Sequence, residues 1–115
     1  MILYVSEEYH VTLAVYSGLP DPEWSIKPND VNYQRISELF NAAKRDKLTQ
    51  KPKNMPSRLG YKGFLVRENK ERSDKLILGP KTKELQKLLL QTTPKGSVSE
   101  EMINAILEEV DKEQL

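Results

Sequence analysis

The segment Ser17–Trp24 most constrains how this chain can fold, because it places two prolines, a glycine and the only tryptophan directly after an apolar run. Proline fixes one backbone angle and glycine permits conformations that other residues avoid, so the segment predicts one rigid turn. This turn presents the tryptophan ring from a fixed position. A second segment, Leu59–Phe64, has the same character. Each of its two glycines directly precedes an aromatic residue, and another apolar run follows.

Alternating apolar residues predict a strand directly before this turn. From Tyr9 to Val15 every second residue is apolar, which is the pattern of a strand with one buried face. Trp24–Ile26 is long enough for a second short strand that pairs back. Pairing is expected to begin near its first residue, because Pro22 has no amide hydrogen to donate. Met1–Val5 is a candidate edge strand.

One amphipathic helix follows, and then a loop. Asn29 or Asp30 is the predicted N-cap, since the side-chain oxygen of either residue type accepts hydrogen bonds from the first helical amides. Apolar residues then recur every three or four positions until near Leu48, with polar residues on the other face. The stretch Thr49–Ser57 contains two prolines and two lysines without periodicity. It predicts a loop.

The remaining chain predicts two more strands and two more helices. Gly63–Val66 and Lys75–Leu78 have the composition of two hairpin strands joined by a polar run. Lys83–Gln91 has the spacing of a short helix. Ser97 and Glu100 match a capping box that opens a last helix with an apolar and an acidic face.

The order of these elements predicts an α+β fold with a small, mainly antiparallel sheet covered on one face by about three helices. A chain of 115 residues suits one domain, residues 1–115, with a modest core. The net charge of +1 predicts no overall affinity for nucleic acid or membrane. The charged residues are nevertheless unevenly distributed along the chain. Residues 44–62 contain seven basic residues and one acidic residue, whereas residues 97–115 contain six acidic residues and one basic residue.

Cysteine is absent and histidine occurs once, which excludes several classes of site. No disulfide, thiolate metal site or cysteine nucleophile can form, and a single histidine leaves too few ligands for a typical zinc site. His10 lies inside a predicted strand, Ser17 lacks the turn of a nucleophile elbow, and no glycine-rich phosphate loop is present. The sequence therefore favours a non-enzymatic module without metal or cofactor over a small cofactor-free enzyme.

The beginning of the chain bears on its compartment. Residues 1–8 lack the basic start and the apolar run of a signal peptide, and no stretch is long enough to span a bilayer. Together with the absence of cysteine, these features favour the cytoplasm. A secreted protein whose signal has been removed stays open.

The two turn segments form the candidate binding site, because each lies at the end of a predicted strand and they can meet at one end of the sheet. The candidate ligand-binding residues are Ser17, Asp21, Trp24, Tyr61 and Lys62. Aromatic rings offer apolar area, and the polar groups orient a ligand, which is an unidentified protein or small molecule. The structural alternative is that Asp21 caps the corner and Trp24 fills the core.

Nucleic-acid binding is the second functional hypothesis. Gly60–Gly63 resembles the GxxG loop with which KH domains hold a nucleic-acid backbone, and the candidate cations are Lys51, Lys53, Arg58 and Lys62. The KH loop joins two helices, whereas this one enters a predicted strand, so the local pattern favours an ordinary turn. Homo-oligomerisation is also open, because the basic stretch of one copy could meet the acidic last helix of another.

Taken together, the two turn segments resemble a two-motif pattern of small uncharacterised proteins. In that pattern Ser-Gly-x-Pro-Asn-Pro-x-Trp is followed by Leu-Gly-Tyr-Arg-Gly-Phe. The corresponding segments here are Ser17–Trp24 and Leu59–Phe64, with Asp21 in place of the asparagine and Lys62 in place of the arginine. The resemblance implies a shared scaffold and no particular activity.

Overall fold

The computed structural model describes residues 8–16, 19–68, 71 and 73–113. The fold is α+β, as predicted, with a four-stranded antiparallel sheet and three α-helices. The strands are β1 (Tyr9–Leu13), β2 (Glu23–Ile26), β3 (Phe64–Glu68) and β4 (Lys75–Ile77). The helices are α1 (Tyr33–Arg45), α2 (Lys83–Gln91) and α3 (Glu100–Lys112). The bounds of α2 match the prediction.

The strands lie in the order β2-β1-β3-β4, and all neighbours are antiparallel. Val11 lies opposite Trp24 on one side and Val66 on the other, so these three side chains form one row on the same face. Pairing with β2 begins at Glu23, directly after Pro22, which confirms the predicted start. The Pro22 carbonyl still accepts a hydrogen bond from β1, with an N···O distance of 3.0 Å.

The helices cover the face that carries this row. Tyr9 joins the sheet to α1, since its hydroxyl donates to Ser37 Oγ at 3.0 Å and its ring packs edge-on against Phe40 with centroids 5.5 Å apart. α2 contacts both α1 and α3. Ile106 and Val110 of α3 belong to the same buried cluster as the strand side chains, so one apolar core holds these layers together.

The other face of the sheet is polar. His10 Nε2 lies 2.7 Å from Glu23 Oε1 on the neighbouring strand, and a guanidinium nitrogen of Arg67 lies 3.5 Å from Asp74 Oδ1. The sole histidine is therefore paired on the polar face and is not part of the packed face. The predicted edge strand Met1–Val5 lies outside the described residues.

The start and the end of α1 differ from the prediction. The helix begins at Tyr33, with Asn32 in the cap position and no side-chain cap hydrogen bond. Asp30 Oδ1 instead accepts the amide hydrogen of Asn32, with an N···O distance of 2.8 Å, and so closes the turn before the helix. The prediction of Asn29 or Asp30 as the N-cap is therefore wrong. The helix ends at Arg45, about one turn before the predicted end.

The cap of α3 is also displaced from its predicted position. Ser99 Oγ accepts the amide hydrogen of Met102 at 3.1 Å, which makes Ser99 the N-cap. Ser97 Oγ donates to the Pro94 carbonyl at 2.7 Å. The capping-box prediction chose the wrong one of two serines, because either has the side-chain chemistry of a cap.

The predicted loop at residues 49–57 contains ordered backbone structure. Gln50 and Leu76 exchange two backbone hydrogen bonds of 2.8 and 3.0 Å, so Gln50 adds an isolated bridge to the outer edge of β4. Pro52–Asn54 then forms a short 3₁₀ turn. The prolines prevent regular pairing along this stretch, but they do not prevent a single bridge.

Candidate functional site

The Ser17–Trp24 segment is a structural corner over the residues that the structure describes. Asp21 Oδ1 accepts the amide hydrogens of Val15 and Tyr16, with N···O distances of 3.0 and 2.8 Å. Trp24 is only 7 % exposed, and its Nε1 donates to Thr92 Oγ1 at 2.8 Å. These contacts support the structural alternative for Asp21 and Trp24. Ser17 lies outside the described residues.

The two turn segments nevertheless meet at the end of β1. The Lys62 amide donates to the Ala14 carbonyl at 2.8 Å, and the Ala14 amide donates to the Gly63 carbonyl at 3.0 Å. The next two amides of the same stretch bind Asp21. Gly63 is required at this junction because its φ is +106° and a Cβ there would lie 2.8 Å from the Ile77 carbonyl oxygen.

The Tyr61 ring anchors the second segment to α2. It is 6 % exposed and packs edge-on against Phe64, with centroids 5.8 Å apart. Its hydroxyl donates to Gln86 Oε1 at 2.5 Å. The Trp24 indole donates to Thr92 at the C-cap of α2 and the Tyr61 hydroxyl donates to Gln86 within α2, so both turn segments bond to α2 or its cap through their aromatic side chains.

Gln86 is the centre of a buried polar cluster. Its side chain is fully buried, and its Nε2 lies within hydrogen-bonding distance of Glu113 Oε1 at 2.8 Å and Thr82 Oγ1 at 3.0 Å. The Gly79 amide donates to the other carboxylate oxygen of Glu113 at 2.5 Å. The cluster thus joins the Tyr61 loop, the turn before α2 and the end of α3.

The amino-acid sequence did not predict this cluster. One signal was present, because Gln86 follows Leu85 directly and precedes Leu89 by three positions, which places it beside the apolar stripe of α2. Nothing in the sequence links Gly79 and Glu113, which are 34 residues apart. Their contact depends on how α3 packs against α2.

The electrostatic environment keeps the Tyr61 phenol protonated. Burial raises its pKa well above the ordinary range, the negative charge of Glu113 raises the pKa further, and the positive charge of Arg58 lowers it by a smaller amount. A phenol of this kind is a hydrogen-bond donor and a poor general base at neutral pH. The cluster therefore has the chemistry of an anchor, without an activated nucleophile.

A groove lies where the Tyr61 loop crosses α3. This α3 groove has a volume of about 290 Å³, and its lining residues include Arg58, Leu59, Met102, Ala105, Glu108 and Glu109. Leu59 is 84 % exposed, although the loop around it is held in place. A second cavity of about 360 Å³ continues from the groove past Gly79 and Glu113.

The four cations proposed for nucleic-acid binding are not gathered in one groove. Arg58 lines the α3 groove and its Nε donates to the Tyr61 carbonyl at 3.0 Å, while Lys62 Nζ donates to the Gly60 carbonyl at 3.2 Å. Lys51 and Lys53 line a different groove beside β4. The Lys62 amide and the Gly63 carbonyl are already bonded to β1, unlike the free backbone of a phosphate-binding loop.

No protein-family model, curated protein or solved structure matches this chain. The resemblance to the two-motif proteins therefore stays a prediction. Within the described ranges, no group of three or more potential ligands is placed to hold a metal ion. Among the same residues, no helix is both long and apolar enough to cross a membrane.

Proposed function

We propose that this chain is a non-catalytic protein-binding module whose site is the α3 groove. The observation that carries the proposal is Leu59, a large apolar side chain that is 84 % exposed on an anchored loop and lines a cavity with one apolar wall. Met102 and Ala105 of α3 supply the apolar wall of that cavity. Such a combination offers a partner both an anchor and a pocket.

The loop is held on both sides of Leu59, which favours binding without a large entropic cost. Arg58 donates to the Tyr61 carbonyl, the Tyr61 hydroxyl donates to Gln86, and the Lys62 amide pairs with β1. A groove that exists before the partner arrives loses less conformational freedom on binding. Leu59 is therefore presented in a fixed place.

The charges around the groove select the chemistry of the partner. Two glutamates, Glu108 and Glu109, and one arginine, Arg58, line the groove, which gives the lining a net charge of −1, and over the described part of the chain neither glutamate forms an ion pair. We expect a protein segment with one large apolar side chain flanked by lysine or arginine. Opposite charge of this kind fixes orientation and raises the association rate more than it raises affinity.

Two short synthetic peptides test this proposal, one with a central leucine flanked by lysines and one with the lysines replaced by glutamates. The lysine peptide should shift the NMR amide signals of residues 58–61 and 102–109, whereas the glutamate peptide should shift few of them. The variant Leu59→Ser should bind the lysine peptide roughly tenfold more weakly, because the buried area of about one leucine side chain is lost.

Leu19→Ser is the matched control. Leu19 is also an exposed leucine, at 67 %, but it lies in the other turn segment and does not line the groove. This variant should bind the lysine peptide as the unchanged protein does. Equal binding by both variants, or signal shifts confined to residues outside the groove, would show that the α3 groove is not the site.

A further inference from the structure

A second groove runs beside the outer edge of β4. Its walls are residues 49–53 on one side and residues 73–75 on the other, and its volume is about 510 Å³. The bridge between Gln50 and Leu76 holds the first wall against β4, and the 3₁₀ turn Pro52–Asn54 shapes it. This β4-edge groove is within the size range of ligand-binding cavities.

The β4-edge groove is positively charged. Lys51, Lys53 and Lys75 line it, and within the described ranges none of the three forms an ion pair. Asp74 is the one acidic residue among its lining residues, and its carboxylate already faces the Arg67 guanidinium at 3.5 Å. The positive charge of the lysines is therefore not neutralised from within the groove.

We infer that the β4-edge groove binds the phosphodiester backbone of a single-stranded nucleic acid. Three ammonium groups match the charge of successive phosphates, and the side chains of Thr49, Gln50 and Ser73 can donate hydrogen bonds to phosphate oxygens. A flexible single strand can follow a concave groove more readily than a stiff duplex. The β4-edge groove and the α3 groove share no lining residue, so the inference does not depend on the proposed protein partner.

The lining also predicts how selective this binding is. The described residues that line the β4-edge groove include no aromatic side chain on which a base could stack. Phosphate contacts alone carry no sequence information. Binding should therefore be weak, independent of base sequence and dependent on salt, with about three phosphate contacts giving a slope of log K against log salt near −2.

Fluorescence anisotropy with a short labelled oligothymidylate tests the inference across salt concentrations from about 20 to 200 mM. The double variant K51Q/K53Q should reduce affinity at the lowest salt at least about fivefold and bring the slope to about −0.7, since one lysine is left. The control K27Q/K95Q has the same net charge and removes two exposed lysines outside the groove. Its affinity should stay within about twofold of the unchanged protein.

Three outcomes would overturn the inference. The first is equal loss of affinity in both double variants, which would mean that only the net charge matters. The second is a slope near zero for the unchanged protein. The third comes from parallel measurements with a duplex of the same length and with phosphatidylserine vesicles: tighter binding to either would assign the groove to that surface. The oligothymidylate should bind most tightly of the three.

Discussion

The two turn segments have similar compositions, and each combines a buried aromatic ring with an exposed leucine, Leu19 or Leu59, but they have different roles in the fold. In Ser17–Trp24, over its described residues, the Asp21 carboxylate binds two amides and the Trp24 indole binds Thr92. In Leu59–Phe64 the Tyr61 ring is equally buried, but the residue two positions before it is almost fully exposed. The first segment stabilises the corner that follows β1, whereas the second also lines a groove.

In both segments the buried aromatic side chain anchors its turn to the rest of the fold, and the proposed site lies next to the second of these anchors. Buried tryptophan and tyrosine each need a partner for their polar atom, and both find one at α2. Gln86 and Thr92 are six residues apart, which is about 9 Å along a helix. The two rings therefore hold α2 near its middle and at its C-terminal end.

The largest expected effect that tests this comparison is on stability. Trp24→Ala should lower the free energy of unfolding by about 3–5 kcal/mol, because it leaves a large cavity in the core. Leu59→Ala should change it by less than about 0.5 kcal/mol, since that side chain is exposed. Urea denaturation followed by circular dichroism measures both. Similar losses in the two variants would mean that Leu59 also has a structural role.

The second prediction concerns the hydrogen-bonding role of Asp21. Asp21→Ala should cost about 1–3 kcal/mol of stability, because two partly buried amides lose their acceptor. Asp21→Asn is the control, since its side-chain oxygen can accept the same hydrogen bonds, and asparagine is the residue of the two-motif pattern. If both substitutions are equally costly by urea denaturation, the negative charge and not the acceptor stabilises the corner.

The third prediction is the pH dependence of stability that Tyr61 causes. Its pKa in the folded protein is raised above the ordinary value of 10.0, so its contribution is complete below pH 10 and is lost as the pH rises further. Above pH 10 the unchanged protein should lose stability faster than Tyr61→Phe, by up to about 1.4 kcal/mol per pH unit. Urea midpoints between pH 9 and about pH 11 give this difference. Parallel pH profiles would contradict the burial of the phenol.

Much of the fold was predictable because it depends on local patterns. The alternation of apolar residues from Tyr9 onward predicted β1, and the spacing of the leucines predicted α2. The start of β2 was predictable because Pro22 has no amide hydrogen to donate. The caps were less predictable, since Asn29, Asp30 and Ser97 each lie two or three residues before the observed cap, Asn32 or Ser99, which has similar capping chemistry. Choosing between neighbours requires knowing where the helix axis points, and packing decides that.

The candidate site was predictable only in part. The sequence indicated that the two segments meet at one end of the sheet, and the backbone bonds of Ala14 show that they do. It did not indicate that Trp24 is buried while Leu59 is exposed, because both lie in turns of similar composition. The sequence did not predict the β4-edge groove either. Lys75 lines the same groove as Lys51 and Lys53 because the bridge between Gln50 and Leu76 brings the two segments together.

The sequence by itself determined the order of strands and helices and the face that each one buries. Periodicity is a property of neighbouring residues, so no tertiary contact is needed to detect it. Only the tertiary structure decided which polar groups are bonded internally and which stay exposed. Gln86, Gly79 and Glu113 meet because three separate segments pack together, and the cost of burying a polar atom depends on all of them at once.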